Sequence, residues 1–194
     1  MLAGTHILGY HCTRLHDDEI AKVLGDGLKP LCGELVRERI QTRVRSNNIP
    51  GVIGSRLLEY NEASMDNRKG KIWFVFTEPL LKEEAGIDRF FRNWGGECLY
   101  NNYEDDHEIG PLLRAIGYPC IVQASVPAAS IETFCPIAER FLRLHLSRRK
   151  IRTGHNPEFE GYVRHSVKVL QIIRSMDPEF KHLTGCESWA NHLC

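Results

Sequence analysis

A histidine followed two residues later by a threonine lies near the start of the chain, in the stretch GYHCTRL that contains His11 and Thr13. A short helix is expected next, and it stops at Gly27. Histidine is intermediate in burial, so His11 has two interpretations. It is either a structural hydrogen bonder near the end of a first strand or a group that holds a ligand.

A second group of chemically capable side chains lies in the stretch FRNWGGECLYNN, which brings Arg92, Trp94, Gly96, Glu97 and Tyr100 beside a turn. Loops of this composition often carry function, and here they would place a carboxylate or a guanidinium in a cleft. The alternative is that the glycines form a hairpin turn and that Trp94 belongs to the core of the preceding helix.

Two charged runs have simpler explanations. The basic run at residues 140–155, RFLRLHLSRRKIRTGH, either binds phosphate or nucleic acid or is the solvated face of a helix. The helix face is the commoner case. The acidic run at residues 103–108, YEDDHE, is predicted to be a solvated loop.

Hydrophobic periodicity predicts the elements that position these residues. A strand is expected near Leu8–Cys12, followed by a helix that Asp17 and Asp18 cap and that ends at Gly27. A second helix is expected from about Glu34 to Arg45, because its apolar residues form one stripe.

In the middle of the chain, segments that contain glycine or proline alternate with runs of apolar residues. Residues 46–55, SNNIPGVIGS, contain glycine and proline and are predicted to be a loop. The run KIWFVFT is rich in aromatic and branched residues and predicts a buried strand. A helix follows with an inward stripe, and the glycines of WGGECLYNN then turn the chain into a further strand. The stripe consists of Ile87, Phe90, Phe91 and Trp94.

The C-terminal part begins with CIVQASVP, a second convincing strand. Pro136 starts a helix in which Ile137, Phe141 and Leu144 face inward and the arginines face outward. The stretch FEGYVRHSVKVLQII is predicted to be a strand pair or one extended strand. This order of elements predicts an α+β fold, a single domain over residues 1–194 with helices inserted into a mainly antiparallel sheet.

Composition limits the function classes. A chain of 194 residues fits one domain, and 25 basic against 25 acidic side chains give no reason to expect nucleic acid or a membrane as partner. No run of apolar residues is long enough for a bilayer span, and the first ten residues lack the features of a signal peptide, so a cytoplasmic protein is expected. The seven cysteines form no CxxC pair and are predicted to be reduced thiols without a structural zinc site.

The order of the motifs resembles the ADP-ribosyltransferase superfamily of the diphtheria-toxin, poly(ADP-ribose) polymerase and DarT type. YHCT, followed by a helix that ends in DGL, is similar to the first motif of those enzymes and is the most specific part of the match. GKIWFVFT is similar to their Gly-Ile-Tyr-Phe motif, with Trp73 in place of the tyrosine. PCIVQASVP is similar to their strand that ends in Val-x-Val-Pro, and Glu160 takes the place of the glutamate that opens the next strand.

This resemblance implies an α+β fold with a split sheet, NAD+ as the substrate, and no metal. It implies that the histidine donates a hydrogen bond to a ribose of NAD+ and that the aromatic residue stacks on the nicotinamide. A carboxylate would stabilise the positive charge that develops when the glycosidic bond breaks. The residues implied for NAD+ binding are His11, Cys12, Thr13, Trp73 and Phe74, and the candidate catalytic carboxylates are Glu160 and its competitor Glu97.

The resemblance also implies the biological setting. The acceptor of ADP-ribose would be a macromolecule, either protein or nucleic acid. Small members of this kind are often toxins or phage-defence effectors, for which an antitoxin or regulatory partner is expected and a membrane partner is not.

Two other functions stay open. The tripeptides HCT and HLT, with His11 and His182, resemble the paired motifs of 2H phosphoesterases, in which two histidines act as general acid and base. The residues after them, Arg14 and Gly185, depart from the apolar residue of that family. The second alternative is an inactive NAD-binding or interaction module. The absence of the family's tyrosine at position 73 favours it.

Overall fold

The five strands among the described residues form one antiparallel sheet. The computed structural model describes residues 4–79, 86–134, 136–151 and 159–187. Within these ranges the strands are β1 His6–Leu15, β2 Ile72–Val75, β3 Tyr118–Pro127, β4 Glu160–Val163 and β5 Val169–Arg174. Their order in the sheet is β4-β2-β1-β3-β5. With the helices between them, this arrangement confirms the α+β class.

Helices occupy most of the described connections between the strands. A short 3₁₀ helix, Ala128–Ser130, follows β3. The described α-helices are α1 Asp17–Asp26, α2 Gly33–Arg45, α3 Gly51–Glu59, α4 Ile87–Arg92, α5 Glu97–Tyr103, α6 Ile109–Ala115, α7 Ile137–Arg148 and α8 Pro178–Thr184. None of the helices within the described ranges is long and apolar enough to cross a bilayer.

The join between β1 and β2 is the narrowest in the sheet. β1 and β3 pair along their whole lengths, from His6 opposite Pro127 to Leu15 opposite Tyr118. By contrast, β1 and β2 are registered only at Tyr10 opposite Val75. The resemblance implied a split sheet, whereas the described strands form a single one. The β1–β2 join is where that sheet comes closest to dividing.

The sheet has two buried faces. The first, which we call the Phe74 face, carries Phe74, Val122 and Val163 and packs against Ile20 of α1 and against Phe159. The second face has a different cover, from α4 and α8. We call it the Val75 face, and it carries Val75, Cys12 and Ile121, packed against Phe91 and Phe180.

A third cluster joins the helices that do not cover the sheet. It contains Ile40 of α2, Leu57 of α3 and Leu113 of α6, all fully buried. Trp94 and Leu99 pack in the same cluster. The segment that contains Trp94 therefore belongs to a helical core next to the sheet, as its place in the sequence stripe predicted for the tryptophan.

The prediction of a loop over residues 46–55 is wrong beyond residue 50. Residues 51–59 form α3, in which Ile53 and Leu57 are buried. Gly54 is needed for packing: a Cβ at this position would lie 2.5 Å from a methyl carbon of Val44 on α2. The glycine that suggested a turn therefore allows α2 and α3 to approach each other closely.

The predicted strand after Gly95 and Gly96 is also wrong, because this stretch forms α5. Both glycines have positive φ, +93° and +68°, a region that other residues rarely adopt. They turn the chain directly into a helix that buries Cys98 and Leu99.

The last two strands do not pair with each other as predicted. β4 pairs with β2 and β5 pairs with β3, so they lie at opposite edges of the sheet. The segment between them crosses the Phe74 face, where Val167 pairs with Leu28.

Two smaller predictions, the cap of α1 and the inward stripe of α7, differ from the structure in detail. The N-cap of α1 is His16, whose backbone N–H donates to Glu19 at 2.9 Å, while Asp18 pairs with Arg43. In α7 the inward stripe is only partly covered, since no residue of that helix is fully buried and Phe141 is 38% exposed.

The acidic run forms the turn between α5 and α6, in which Asp105, His107 and Glu108 are exposed as predicted, while Glu104 and Asp106 are half-buried. The side chain of Asp106 accepts the backbone N–H of Ile109 at 2.8 Å and so starts α6. Arg56 pairs with Asp106 at 3.2 Å, and Arg89 pairs with Glu104. The run therefore holds α3, α4, α5 and α6 together.

A buried arginine ties β1 to two helical segments. Arg14 is 5% exposed, and its guanidinium donates to the carbonyl of Ile116 at 2.7 Å and to that of Phe91 at 3.1 Å. Burial lowers the pKa of Arg14 to about 10. The charge is held by carbonyl dipoles, and the hydrogen bonds link the central strand to the ends of α4 and α6.

We expect Arg14→Met to lower the free energy of unfolding by about 1–3 kcal/mol, because it leaves two buried carbonyls without a donor. Urea denaturation measures this change. The matched control is Arg37→Met on the exposed face of α2, which should change the free energy of unfolding by less than about 0.5 kcal/mol. Equal effects of the two substitutions would contradict the anchoring role of Arg14.

Candidate functional site

The alternation of side chains along the strands divides the predicted site residues between the two faces of the sheet. The ring of His11 lies against Phe74, with centroids 6.1 Å apart, and therefore on the Phe74 face. Thr13 shares that face because it is two residues further along β1. Trp73 and Glu160 lie opposite Tyr162 and Val75 in the β2–β4 ladder and share the Val75 face.

Cys12 lies on the Val75 face, next to Val75 and Ile121 in the core. Its side chain is therefore turned away from the His11 ring. Phe74 is buried, and its ring meets that of His11 edge to face.

His11 is fixed by a hydrogen bond across the narrow join of the sheet. Its Nδ1 lies 2.9 Å from the backbone carbonyl oxygen of Trp73. A carbonyl oxygen can only accept, so Nδ1 carries the proton. In the neutral ring Nε2 is then an acceptor, which can receive a hydrogen bond from a hydroxyl group.

The environment keeps this ring neutral. Burial lowers the pKa of His11 below its ordinary value of 6.5, and the positive charge of the nearby Arg39 acts in the same direction. The hydrogen bond to Trp73 raises the pKa but does not reverse the shift.

Arg39 is held at the centre of a polar network between α1, α2 and the segment before α5. Its Nε donates to Glu19 Oε1 at 2.6 Å, and its guanidinium lies 4.9 Å from the centre of the Trp94 ring. Trp94 Nε1 donates to the other oxygen of Glu19 at 2.9 Å. Arg39 and its hydrogen bonds keep the pKa of Glu19 low, although burial alone would raise it.

One donor of this network is left over. Nη2 of Arg39 is buried and has no hydrogen-bond partner among the described residues. An unsatisfied buried donor costs about 1–3 kcal/mol, so a ligand oxygen at this position would recover that free energy. A neutral histidine acceptor and an arginine donor thus lie close together.

Glu97 belongs to the same side of the molecule as Arg39. It lies in the first turn of α5, and Arg68 Nε is 3.3 Å from its Oε2. Arg68 also pairs with Glu62 at 2.9 Å, so two carboxylates share one guanidinium. Both Arg39 and Arg68 act on the thiol of Cys98, whose pKa burial nevertheless raises to about 11.

Glu160 is exposed at the start of β4. It lies opposite Val75 on the face that does not carry His11. The sequence named Glu160 and Glu97 as alternatives. Glu160 lies on the face opposite to that of His11, and Glu97 pairs with Arg68, which acts on the same Cys98 thiol as Arg39 does.

The two His-x-Thr tripeptides do not meet. His182 is an exposed residue of α8, which packs on the Val75 face through Phe180 and Leu183. Thr184 is buried and donates to the carbonyl of Phe180 at 2.7 Å in its own helix. The sheet therefore separates His182 from His11, and the geometry gives the phosphoesterase alternative no support.

Sequence reasoning missed Arg39 and its partner Glu19. One signal for Arg39 exists: it lies three residues after Val36 and directly before Ile40, both of which are buried. It therefore borders the inward stripe of α2. No comparable signal marks Glu19, which follows two other acidic residues and has the position of an ordinary capping-box glutamate.

Other site chemistry has little support in the described ranges. No group of three or more histidine, cysteine, aspartate or glutamate side chains converges there to hold a metal ion. Cys32, Cys98 and Cys120 are free thiols, in agreement with the expected reduced state.

No protein-family model, curated protein or solved structure matches this chain. The similarity to ADP-ribosyltransferases therefore stays a prediction from the motifs. The function has to be argued from the residues around His11 and Arg39.

We expect the pKa of His11 to lie below 6.5 and the neutral ring to carry its proton on Nδ1, because burial disfavours the charged ring and the Trp73 carbonyl accepts a hydrogen bond from Nδ1. Two-dimensional NMR of the imidazole nitrogens reports both properties. An Nε2-protonated ring, or titration near 6.5, would contradict the assigned hydrogen bond.

The same shift predicts a pH dependence of stability. Because the folded-state pKa is lowered, the unfolded chain binds this proton more tightly, and protonation of His11 opposes folding as the pH falls below 6.5. Above that pH His11 is neutral in both the folded and the unfolded chain, so its protonation does not lower the free energy of unfolding. We expect the free energy of unfolding to fall more steeply between about pH 7 and pH 5 in the wild type than in His11→Gln. Parallel curves from denaturation at several pH values would contradict this.

Proposed function

We propose that this protein is an NAD+-dependent ADP-ribosyltransferase that holds NAD+ beside His11 and Arg39. The observation that carries the proposal is the leftover donor of Arg39 next to the neutral acceptor of His11. The histidine motif that resembles the superfamily is the second support. NAD+ binding at these two residues is the first part of the proposed function, and cleavage of the bond to nicotinamide is the second.

The chemistry of the two groups fits a dinucleotide. NAD+ has ribose hydroxyls, which donate hydrogen bonds, and a pyrophosphate, whose oxygens accept them. His11 Nε2 would accept from a ribose hydroxyl, and Arg39 Nη2 would donate to a phosphate oxygen. The resemblance predicted that the histidine donates to the ribose; the Nδ1 contact with Trp73 favours the opposite direction for the bond at Nε2.

The resemblance predicted Trp73 as a wall for the nicotinamide. The ring of Trp73 lies on the Val75 face, and His11 lies on the Phe74 face. The proposal therefore gives the Trp73 carbonyl a role, in holding His11, and assigns the ring no contact with NAD+.

A carboxylate is required near the bond that breaks, because positive charge develops on the ribose as nicotinamide leaves. We assign this role to Glu97. Its ion-pair partner Arg68 acts on the Cys98 thiol, as Arg39 also does, which supports a position of Glu97 near Arg39. Glu160, the first choice from the sequence, lies on the Val75 face, opposite to that of His11.

The proposed acceptor is a macromolecule, either protein or nucleic acid. A role as a toxin or a phage-defence effector, with an antitoxin or regulatory partner, follows from the motif resemblance alone. Mass spectrometry of cellular protein and nucleic acid after brief expression would identify the modified class.

We expect Arg39→Lys to weaken NAD+ binding by about 1.5–3 kcal/mol, because lysine keeps a charge for Glu19 but loses the second donor. His11→Ala should weaken binding by about 1–3 kcal/mol. Isothermal titration calorimetry measures both. The matched control is Arg37→Lys, an exposed residue of the same helix. Unchanged affinity in Arg39→Lys, with the fold intact by circular dichroism, would contradict the proposed binding site.

We expect Glu97→Gln to bind NAD+ but to release nicotinamide about 10²- to 10³-fold more slowly, because the shape is kept and the charge is lost. Glu160→Gln should retain nearly full turnover. Chromatographic measurement of released nicotinamide decides between the two carboxylates. Loss of turnover in Glu160→Gln alone would transfer the catalytic role to β4, and full activity in both variants would exclude this mechanism.

A further inference from the structure

Three aromatic side chains contact one another at the β4 edge of the sheet, and two of them, Trp73 and Tyr162, are half-buried. Trp73 stacks on Phe134 with centroids 5.9 Å apart and an interplanar angle of 28°, and it contacts Tyr162 at 4.8 Å. Phe134 is 81% exposed. We call Trp73, Phe134 and Tyr162 the aromatic platform.

The backbone fixes Phe134 beside this edge. Glu132 and Tyr162 exchange two backbone hydrogen bonds of 2.9 Å, which add a short bridge to the outer side of β4. The bridge brings Phe134 over Trp73. An exposed phenylalanine held by its backbone against another ring is not explained by the three buried clusters, to which it does not belong.

Cations surround the same rings. Lys71 Nζ lies 4.6 Å from the centre of the Tyr162 ring and 6.0 Å from that of Trp73, and the Arg164 guanidinium lies 5.2 Å from Tyr162. Lys69, two residues before Lys71, is exposed. Glu132 pairs with Arg164 at 2.8 Å and compensates one of these charges. Positive charge thus lies beside flat apolar rings.

We propose that the aromatic platform binds single-stranded nucleic acid. A base would stack on the exposed face of Phe134, and the backbone phosphates would lie near Lys71 and Arg164. Every base has a flat face, so such a surface tolerates different sequences. In a duplex the base faces are covered by neighbouring bases, so the platform selects for unpaired strands.

The charge of the patch favours this occupant over an apolar protein surface. A partner that buried Phe134 through apolar contacts would also have to remove the Lys71 ammonium group from water, which is costly. A phosphate group would compensate the charge of Lys71, whereas Arg164 already pairs with Glu132. The proposal goes beyond the proposed NAD+ chemistry and does not depend on it, because the platform lies on the Val75 face and His11 on the Phe74 face.

The experiment uses fluorescence anisotropy of labelled oligonucleotides of about 12 nucleotides with the full chain. Oligo-dT, oligo-U and a duplex of the same length are the probes, so that DNA, RNA and paired strands are distinguished. We expect both single strands, or one of them, to bind and the duplex to bind much more weakly. Equal binding of the duplex would overturn the proposal, because binding to a duplex does not require an exposed base.

Phe134→Ala should weaken single-strand binding about 5- to 150-fold, which corresponds to the loss of one stacked base. Lys71→Gln should lower the slope of log affinity against log salt by about 0.7, as expected when one phosphate contact is lost. The matched control for the ring is Tyr60→Ala, an exposed aromatic residue at the end of α3. Equal affinity of Phe134→Ala and Tyr60→Ala would overturn the proposal.

Two further measurements separate other occupants. If Phe134→Ala weakens NAD+ binding in calorimetry as much as it weakens oligonucleotide binding, the platform belongs to the dinucleotide site and the proposal is wrong. If size-exclusion chromatography shows a dimer that Phe134→Ala dissociates, the platform is a self-association surface and the proposal is also wrong. Nicotinamide release by Phe134→Ala at the wild-type rate, with oligonucleotide binding lost, is the expected result.

Discussion

The single registered pair between β1 and β2 is the constraint on which the rest of the structure depends. Tyr10 opposite Val75 is the place where the two halves of the sheet are joined, and the His11 side chain adds a hydrogen bond to the Trp73 carbonyl beside it. The structural role and the proposed ligand-holding role of His11 are therefore compatible, because they use different nitrogens of the same ring. The ring holds the strands together through Nδ1, and that same bond sets which nitrogen is an acceptor for a ligand.

Short-range patterns made much of the fold predictable. β1, β2 and β3 and the first two helices follow from runs and stripes that are complete within a few residues. The failures occur where a glycine has two possible causes. Gly54 permits close helix packing and Gly96 precedes a helix, whereas the sequence pattern predicts a loop or a turn at each. The placement of β4 and β5 at opposite edges depends on pairing with strands far away in the sequence.

The candidate site, too, was only partly predictable from short-range sequence patterns. The order of motifs along the chain predicted His11 and Trp73 as neighbours, and they are neighbours through the backbone. Motif order does not specify the face of a strand, and a change of one residue in register moves a side chain to the other face. Arg39 and Glu19 come from helices that pack beside β1, so only the packed structure reveals their contact with each other.

The crossing between β4 and β5 has a consequence for the shape of the sheet. Val163 and Val169 are the ends of this connection, and the six residue steps between them reach at most about 20 Å. Four strand spacings of about 4.8 Å already come to about 19 Å on a flat sheet, before any displacement along the strands. A flat sheet therefore leaves this connection almost no spare length, and any displacement along the strands requires the sheet to curl around its Phe74 face. The chain segment at 164–168 therefore acts as a short strap, which limits how far the halves on either side of Tyr10 can spread.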